Sequence, residues 1–488
     1  MARRTLSVAR FARELVVRTA TWPLLGRGYR EIYRLQTARV KRALADVDGV
    51  RSVLLRGSAL GGVRPGISDI DLVVIVHPDE AARRLATLEA VYRRVARINR
   101  GAPLVRDVHV FTPAALSAMA RLSSGLHATI LSDTTPLIGA EEIPGPARDP
   151  TLWRETLLRE VLYWTTTSLL HLADADHVGS ALAARSHAKA LAAFSAFSAF
   201  SARGAVCAPG PSNGLADLAA AYAEKRLTPA DPATLFDLMA RTDEQLEGEA
   251  PPELPVESRQ PHPNIAEARD AARTVTAELA RQRGVQSVVL TVEGARENDL
   301  RSYVAVEPRA ADARGVIAAL GRLMRQRPFS RERFSRLSYP QVVTRRAFER
   351  AMFLRWAAAE PVARRRHGEV LHGDDVIPRG TFDEIRRAVA LELATAAMRV
   401  NEVVTARLDG RSAAELADVA WGLVPAARVL AETGQVVTRY VADAPANADE
   451  RQRVATTSRA FRVSLLADLE ARCVADVPRL LAAPRGDV

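Results

Sequence analysis

Two short apolar runs, Val53-Leu54-Leu55 and Leu72-Val73-Val74-Ile75-Val76, bracket the segment Arg56-Gly57-Ser58-Ala59-Leu60-Gly61-Gly62-Val63-Arg64-Pro65-Gly66-Ile67-Ser68-Asp69-Ile70-Asp71. Each run has the length of a strand, and the second is entered through two aspartates one residue apart. Side chains alternate along a strand, so Asp69 and Asp71 project to the same side. Carboxylates held that close repel each other unless a cation lies between them, and burial without a partner is costly. Hard oxygen ligands favour Mg²⁺, which takes one or two carboxylates and completes its shell with phosphate oxygens and water. Gly57 lets the backbone approach a phosphate, and Ser58 adds a hydroxyl donor. An isolated Asp-x-Asp is ordinarily a solvated turn and an isolated Gly-Ser a loop. Strand, Gly-Ser, spacer, acid pair and strand in that order specify far more: a grip for a triphosphate and its metal.

This joint pattern resembles the signature of the polymerase-β-type nucleotidyltransferase superfamily. The spacer Gly61-Gly62-Val63-Arg64-Pro65 is most similar to that of aminoglycoside-nucleotidyltransferase-like proteins. The resemblance implies a small mixed sheet flanked by helices, with a third acid on a neighbouring strand joining the pair around Mg²⁺. Asp107, in the alternating segment Pro103-Leu-Val-Arg-Asp-Val-His-Val-Phe111, takes that place, two residues before His109 on the same face. Pairing with Arg106 or another arginine is its plain structural alternative. The resemblance thus implies Asp69, Asp71 and Asp107 as catalytic residues and metal ligands, and Gly57, Ser58 and Ser68 as nucleotide contacts. Arg56 and Arg64 beside the loop are either phosphate contacts or solvated charges. Some members use a carboxylate of the helical domain as general base, and Glu155 and Glu160 stand nearest. Glu155 is spaced i,i+4 from Arg159, a routine surface pair, which leaves Glu160.

The activity implied is Mg²⁺-dependent transfer of a nucleoside monophosphate, AMP from ATP, to a hydroxyl of a small molecule such as an aminosugar. Such acceptors are polycations, yet no acidic cluster stands out to receive one. A protein or an RNA end is the alternative acceptor, and a nucleotide-binding protein without catalysis is the non-enzymatic alternative.

Composition narrows the partners. The formal charge of +11 invites nucleic acid, but only Lys41, Lys189 and Lys225 of the 68 basic residues are lysines, and the other 65 are arginines scattered among acids. An Arg- and Ala-rich composition of this kind mirrors a GC-rich genome as readily as a nucleic-acid partner, so nucleic acid is not favoured. Cys207 and Cys473, the two cysteines, are far apart with no CxxC and no zinc-type spacing, which argues against a disulfide scaffold or a structural zinc site. His127, His171, His177 and His187 have no ligand spacing and read as core or surface residues. No apolar run reaches the ~18 residues of a membrane span. Arg10, Arg13 and Glu14 interrupt what would be a signal peptide's apolar region, so a cytoplasmic protein with no membrane partner is expected.

The second half repeats the first. Val285-Gln-Ser-Val-Val-Leu290 mirrors Val50-Arg-Ser-Val-Leu-Leu55, and Asp299-Leu-Arg-Ser-Tyr-Val-Ala-Val306 mirrors Asp69-Ile-Asp-Leu-Val-Val-Ile-Val76. Val342-Val-Thr-Arg-Arg-Ala-Phe mirrors Val108-His-Val-Phe-Thr-Pro-Ala with a slip of one residue. Leu371-His-Gly-Asp-Asp-Val-Ile-Pro378 mirrors Leu137-Ile-Gly-Ala-Glu-Glu-Ile-Pro144. Four matches at offsets of about 230 to 235 imply an internal duplication. The second copy has lost the chemistry: Val292-Glu293 stands for Gly57-Ser58, Arg301 for Asp71, and Ser338-Tyr339-Pro340 for the Asp107 region.

The expected fold is α+β and helix-rich, with two nucleotidyltransferase-like mixed α/β domains, the second degenerate, each followed by a helical domain. Its divisions are N-terminal helices over 1–48, the catalytic domain over 49–135, a helical domain over 136–248, and a Pro-rich linker over 249–263. The degenerate domain follows over 264–352 and a C-terminal helical domain over 353–488. Phe194, Phe197 and Phe200, spaced by three, read as a helix core stripe. Fused halves of this kind form a pseudo-dimer within one chain, so a monomer is expected.

Overall fold

Unbroken runs of buried residues need cover on both faces, and the first two strands have it. The computed structural model describes residues 15–56, 63–66, 68–122, 134–139, 150–174, 180–202, 230–246, 263–292, 300–325, 337–347, 369–376 and 463. In β1 (Val50–Arg56) the residues Val53, Leu54 and Leu55 are all buried, and in β2 (Ile70–Val76) every residue from Leu72 onward is. β1 and β2 are the inner strands of a four-stranded sheet. β3 (Val105–Phe111) lies parallel to β2 on one side, and β4 (Thr134–Ile138) antiparallel to β1 on the other.

α1 (Pro23–Ala45) opens with Pro at its first turn and buries Tyr33, Gln36, Val40 and Leu44, a stripe at helical spacing. It runs unbroken through Gly26. α2 (Ala81–Asn99) supplies the crossover that a parallel pair demands and buries Leu85, Leu88, Val91, Tyr92 and Val95. Both helices pack on the face of the sheet that carries Val53, Leu55, Leu72, Val74 and Val108. Buried polar groups brace this layer. The Gln36 amide donates to the carbonyls of Ile98 and Ala102, the Tyr92 hydroxyl donates to the Val108 carbonyl, and the Asn99 amide group clasps the Val105 backbone.

After α3 (Pro113–Leu122), three helices form a separate layer: α4 (Pro150–Ala173), α5 (Ser180–Ala202) and α6 (Pro232–Gln245). Phe194 and Phe197 fill its core with Leu157, Leu158, Val161 and Leu238, so the Phe stripe is structural. Then come α7 (Pro263–Ala280), β5 (Val285–Val292), β6 (Leu300–Val306), α8 (Ala313–Arg325), β7 (Leu337–Thr344) and β8 (Glu369–Gly373). One core joins Leu169, Leu235, Phe236 and Met239 of the helical layer to Val288, Leu290, Val304, Val306 and Leu320. Thr344 donates to the Asp243 carboxylate at 2.5 Å, and Arg309 pairs with Glu244 across the same seam. The molecule is mixed α/β with two small mixed sheets, and no helix among the described residues is long and apolar enough to cross a membrane.

The second sheet has the order β7-β6-β5-β8, with the same parallel and antiparallel relations as β3-β2-β1-β4. Register irregularities recur as well, between Val50 and Ser52 in β1 and between Val285 and Ser287 in β5. Positive-φ glycines recur at Gly49 (84°) and Gly284 (83°), and at Gly139 (66°) and Gly373 (77°). In each unit the residue after the second strand donates its N–H to the first of these glycines, His77 to Gly49 and Glu307 to Gly284. Thr112 and Thr344 each accept the N–H three residues on.

The registers amend one match read from sequence. Val74 lies opposite Val110 and Val304 opposite Val342, so Val342 corresponds to Val110 rather than Val108. β4 and β8 extend the sheets past the divisions expected at 135 and 352. Both are five-residue edge strands, and Pro136, tolerated only at an edge, hides the strand pattern of the first. The linker over 249–262, Cys207, Cys473, His127, His177 and most of 353–488 lie outside the described residues.

A side chain at Gly284 would meet the Ala311 backbone in a left-handed conformation, whereas one at Gly28, mid-helix, would meet nothing. Gly284→Ala is therefore expected to destabilise by at least about 1 kcal/mol, and Gly28→Ala to stabilise by roughly 0.5–1 kcal/mol. Denaturant melts of the two variants check both signs.

Candidate functional site

The register of β1 on β2 sets Arg56 opposite Asp71, on the sheet face turned away from α1 and α2. The register of β3 on β2 is broken at the same place. Ile70 faces Val105 and Leu72 faces Val108, so Arg106 and Asp107 together stand opposite Asp71. This bulge sets Asp107 near enough to Asp71 for its charge to act on it. Asp69 lies one residue before the strand, about one-fifth exposed at 18%. Asp107 is exposed and His109 half-buried.

Asp71 carries the strain of this arrangement. Its Oδ1 is buried and accepts no hydrogen bond from the described residues, and the buried Arg56 Nη1 opposite donates none to them. Burial, then the charges of Asp69 and Asp107, push the Asp71 carboxyl up to about 6, while Arg56 and Lys189 oppose the shift. His109 is pushed down to about 3 by burial and by Arg56, so its ring is neutral at physiological pH.

Asp69 is held by two arginines. Arg106 reaches its Oδ2 at 3.4 Å and Arg185, from α5, its Oδ1 at 3.5 Å. Arg106 is 68% exposed, so its pair is worth little, whereas Arg185 is 20% exposed and docks the helical layer on the acids. Lys189, one turn further along α5, lies 3.9 Å from the centroid of the Trp164 ring. Burial and the neighbouring Arg185 push the Lys189 amine down to about 7, and Glu160, Asp69 and Asp71 pull the other way. The Trp164 indole donates to Glu160 at 3.0 Å.

Ser68 is buried. Its hydroxyl accepts the Arg64 N–H at 2.9 Å, its own N–H donates to the Arg64 carbonyl, and its carbonyl accepts from Tyr33 at 2.5 Å. Ser68 thus braces the turn that delivers Asp69. Gly57 and Ser58, and the side chain of Glu155, lie outside the described residues. His171 hydrogen-bonds Ser186 within the helical layer, and His187 is buried there. Arg185 and Lys189 escape the sequence reading. The available signal is Lys189 itself, one of three lysines in an arginine-dominated chain, placed in an Ala-rich helix.

Among the described residues no three of His, Cys, Asp and Glu stand close enough to enclose a metal ion by themselves. Mg²⁺ rarely uses such a cage, taking one or two carboxylates and filling its shell from phosphates and water. The buried Oδ1 of Asp71 without a donor, beside Asp69, fits that demand. The rim of Arg56, Arg185 and Lys189 fits a polyanion.

A raised carboxyl pKa means that the folded chain holds the Asp71 proton more tightly than the unfolded chain does. The associated stability is present below about pH 4 and lost as pH rises through about 6, amounting to no more than about 3 kcal/mol. Without added metal, Asp71→Asn is therefore expected to melt higher than the unaltered protein at pH 7.5, with the gap closing toward pH 4. Mg²⁺ added at pH 7.5 should raise the melting temperature of the unaltered protein and leave the variant's unchanged.

Comparison of the chain with protein-family models, with curated proteins and with solved structures finds no match, and the bearing on function comes from the geometry of these side chains.

Proposed function

We propose that the first sheet and the helical layer form a nucleotidyltransferase site that moves a nucleoside monophosphate, AMP from ATP, to a hydroxyl of a small molecule. The observation that carries this reading is the buried, donor-less carboxylate oxygen of Asp71, with Asp69 and Asp107 beside it and cations of the helical layer facing it. Asp69 and Asp71 would hold Mg²⁺, with Asp107 at the exposed side. Bound Mg²⁺ would supply neutralisation of triphosphate charge and a lowered pKa of the acceptor hydroxyl. Arg185, tied to Asp69, turns to the phosphates when the carboxylate is otherwise engaged. Lys189, whose amine burial pushes down to about 7, would take up its proton beside a bound phosphate and act strongly on it there. Glu160, oriented by Trp164 in the same layer, is the carboxylate available to take the acceptor proton. Most of the chemistry left to the chain is positioning and charge neutralisation.

The second sheet unit is, on this reading, a duplicated copy that no longer catalyses. Support comes from the shared strand order, the shared register irregularities and the paired positive-φ glycines. At the position of Asp71 it carries Arg301, opposite Thr291 where the first unit has Arg56. Its role is to brace α4 and α6 from behind through the shared core around Leu169 and Leu235.

The test is incubation of the protein with each labelled nucleoside triphosphate, Mg²⁺ and a metabolite extract, followed by mass spectrometry of adducts and measurement of pyrophosphate. The expected result is a nucleoside monophosphate adduct on a small molecule, with Asp69→Asn and Asp71→Asn slower by roughly a hundredfold or more. Asp107→Asn should lose nearly as much if Asp107 is a third ligand, and a mild loss there would move that role elsewhere. Folded Asp71→Asn protein with near-normal turnover would remove the metal assignment, and no adduct from any nucleotide would leave a non-catalytic nucleotide binder.

A further inference from the structure

Arg39, Arg42, Arg94 and Arg97 stand together in a recess of about 430 Å³ between α1 and α2, with Asp46 the one acid on its wall among the described residues. Two arginines come from each helix at i,i+3 spacing, which places each pair on one helix face. Arg94 has a structural task, donating to the carbonyls of Ala43 and Asp46 at the end of α1. Arg39, Arg42 and Arg97 are exposed and make no hydrogen bond or ion pair with a described residue.

The contrast with the rest of these helices is informative. Arg34 pairs with Glu31 at 2.6 Å, Arg83 with Asp48 at 3.2 Å and Arg93 with Glu89 at 3.1 Å. These three arginines are balanced by acids, whereas in the recess like charges converge. Convergence of guanidinium groups is unfavourable unless an anion joins them.

The form of the recess decides which anion. A pocket for a small ligand buries most of that ligand's surface, and here three of the four cations are exposed. An extended polyanion, whose phosphates repeat along a chain, engages an open rim without being enclosed. Among the described residues no aromatic side chain lines the recess to stack a base. We infer that the recess between α1 and α2 binds the phosphodiester backbone of a nucleic acid, through its phosphates and without regard to base sequence. The recess belongs to the helical cover of the Leu72 and Val74 face, whereas Arg56 and Asp71 project from the other face of the sheet. It is therefore a site separate from the acids and independent of their chemistry.

The test is fluorescence anisotropy of a short, labelled, mixed-sequence single-stranded RNA with the full chain, over a series of salt concentrations. The logarithm of the binding constant should fall linearly with the logarithm of salt. Arg39→Glu/Arg97→Glu should weaken binding about tenfold or more and flatten the salt slope by about 2, since each phosphate contact contributes about 1. Arg281→Glu/Arg314→Glu, the same charge change on the second sheet unit, should bind as the unaltered protein does. Arg39→Gln/Arg97→Gln, milder for folding, should lie between, with unchanged melting temperature. Absence of RNA binding at low salt, equal losses from the two Glu double variants, or RNA bound no better than inorganic triphosphate would each overturn the inference. Asp71→Asn should keep full RNA binding, so failure here and failure of nucleotidyl transfer are separate results.

Discussion

A carboxylate placed at the start of a buried strand is the constraint on which the rest of this molecule turns. Asp71 occupies the second position of β2, between Arg56 on one neighbouring strand and a bulged Arg106-Asp107 on the other. A charge there is costly, and the surrounding charges divide into two sets. Asp69 and Asp107 raise the cost, whereas Arg56 and Lys189 lower it. The structure tolerates the arrangement because β2 is pinned by long-range packing: Leu72, Val73, Val74 and Ile75 are completely buried, and a slip of one residue would turn the wrong set inward. The register that fixes the core thus also fixes the acids.

The helical layer is tied to this strand by charge and to the second sheet by apolar packing. Arg185 reaches Asp69 and Lys189 lies within the field of both acids. On the far side, α4 and α6 share one core with β5, β6 and α8. A layer whose front carries cations and whose back is bolted to a second sheet can hold those cations against the acids at the small distances that burial makes effective. That gives the second unit a physical task even where its own strand position carries Arg301 instead of an acid.

Much of this was legible in the residues, for reasons that differ by element. β1, β2 and β3 are apolar runs or alternations of ordinary length, and both α1 and α2 have apolar residues at helical spacing, so local pattern suffices. The acid pair stood out because two carboxylates entering an apolar strand violate the local rule. β4 and β8 were not legible as strands, since an edge strand of five residues with Pro136 has little pattern of its own and is defined by its neighbour. The approach of Arg185 to Asp69 was not legible, because it arises through tertiary packing from a helix more than a hundred positions away in the chain, and Lys189 lies on that same helix. The basic recess was hidden likewise: Arg39 and Arg42 belong to one helix, Arg94 and Arg97 to another, and only the packing of α1 on α2 assembles them. Scattered in sequence, they read as solvated charge.

The central claim is that Asp69 and Asp71 form one Mg²⁺-dependent nucleotide site per chain and that the second unit forms none. Calorimetric titration of the full chain with a non-hydrolysable nucleoside triphosphate, with and without Mg²⁺, tests it most directly. The account predicts one molecule bound per chain, only when Mg²⁺ is present, and loss of that binding in Asp71→Asn. Two molecules per chain, or equal binding without Mg²⁺, would contradict it.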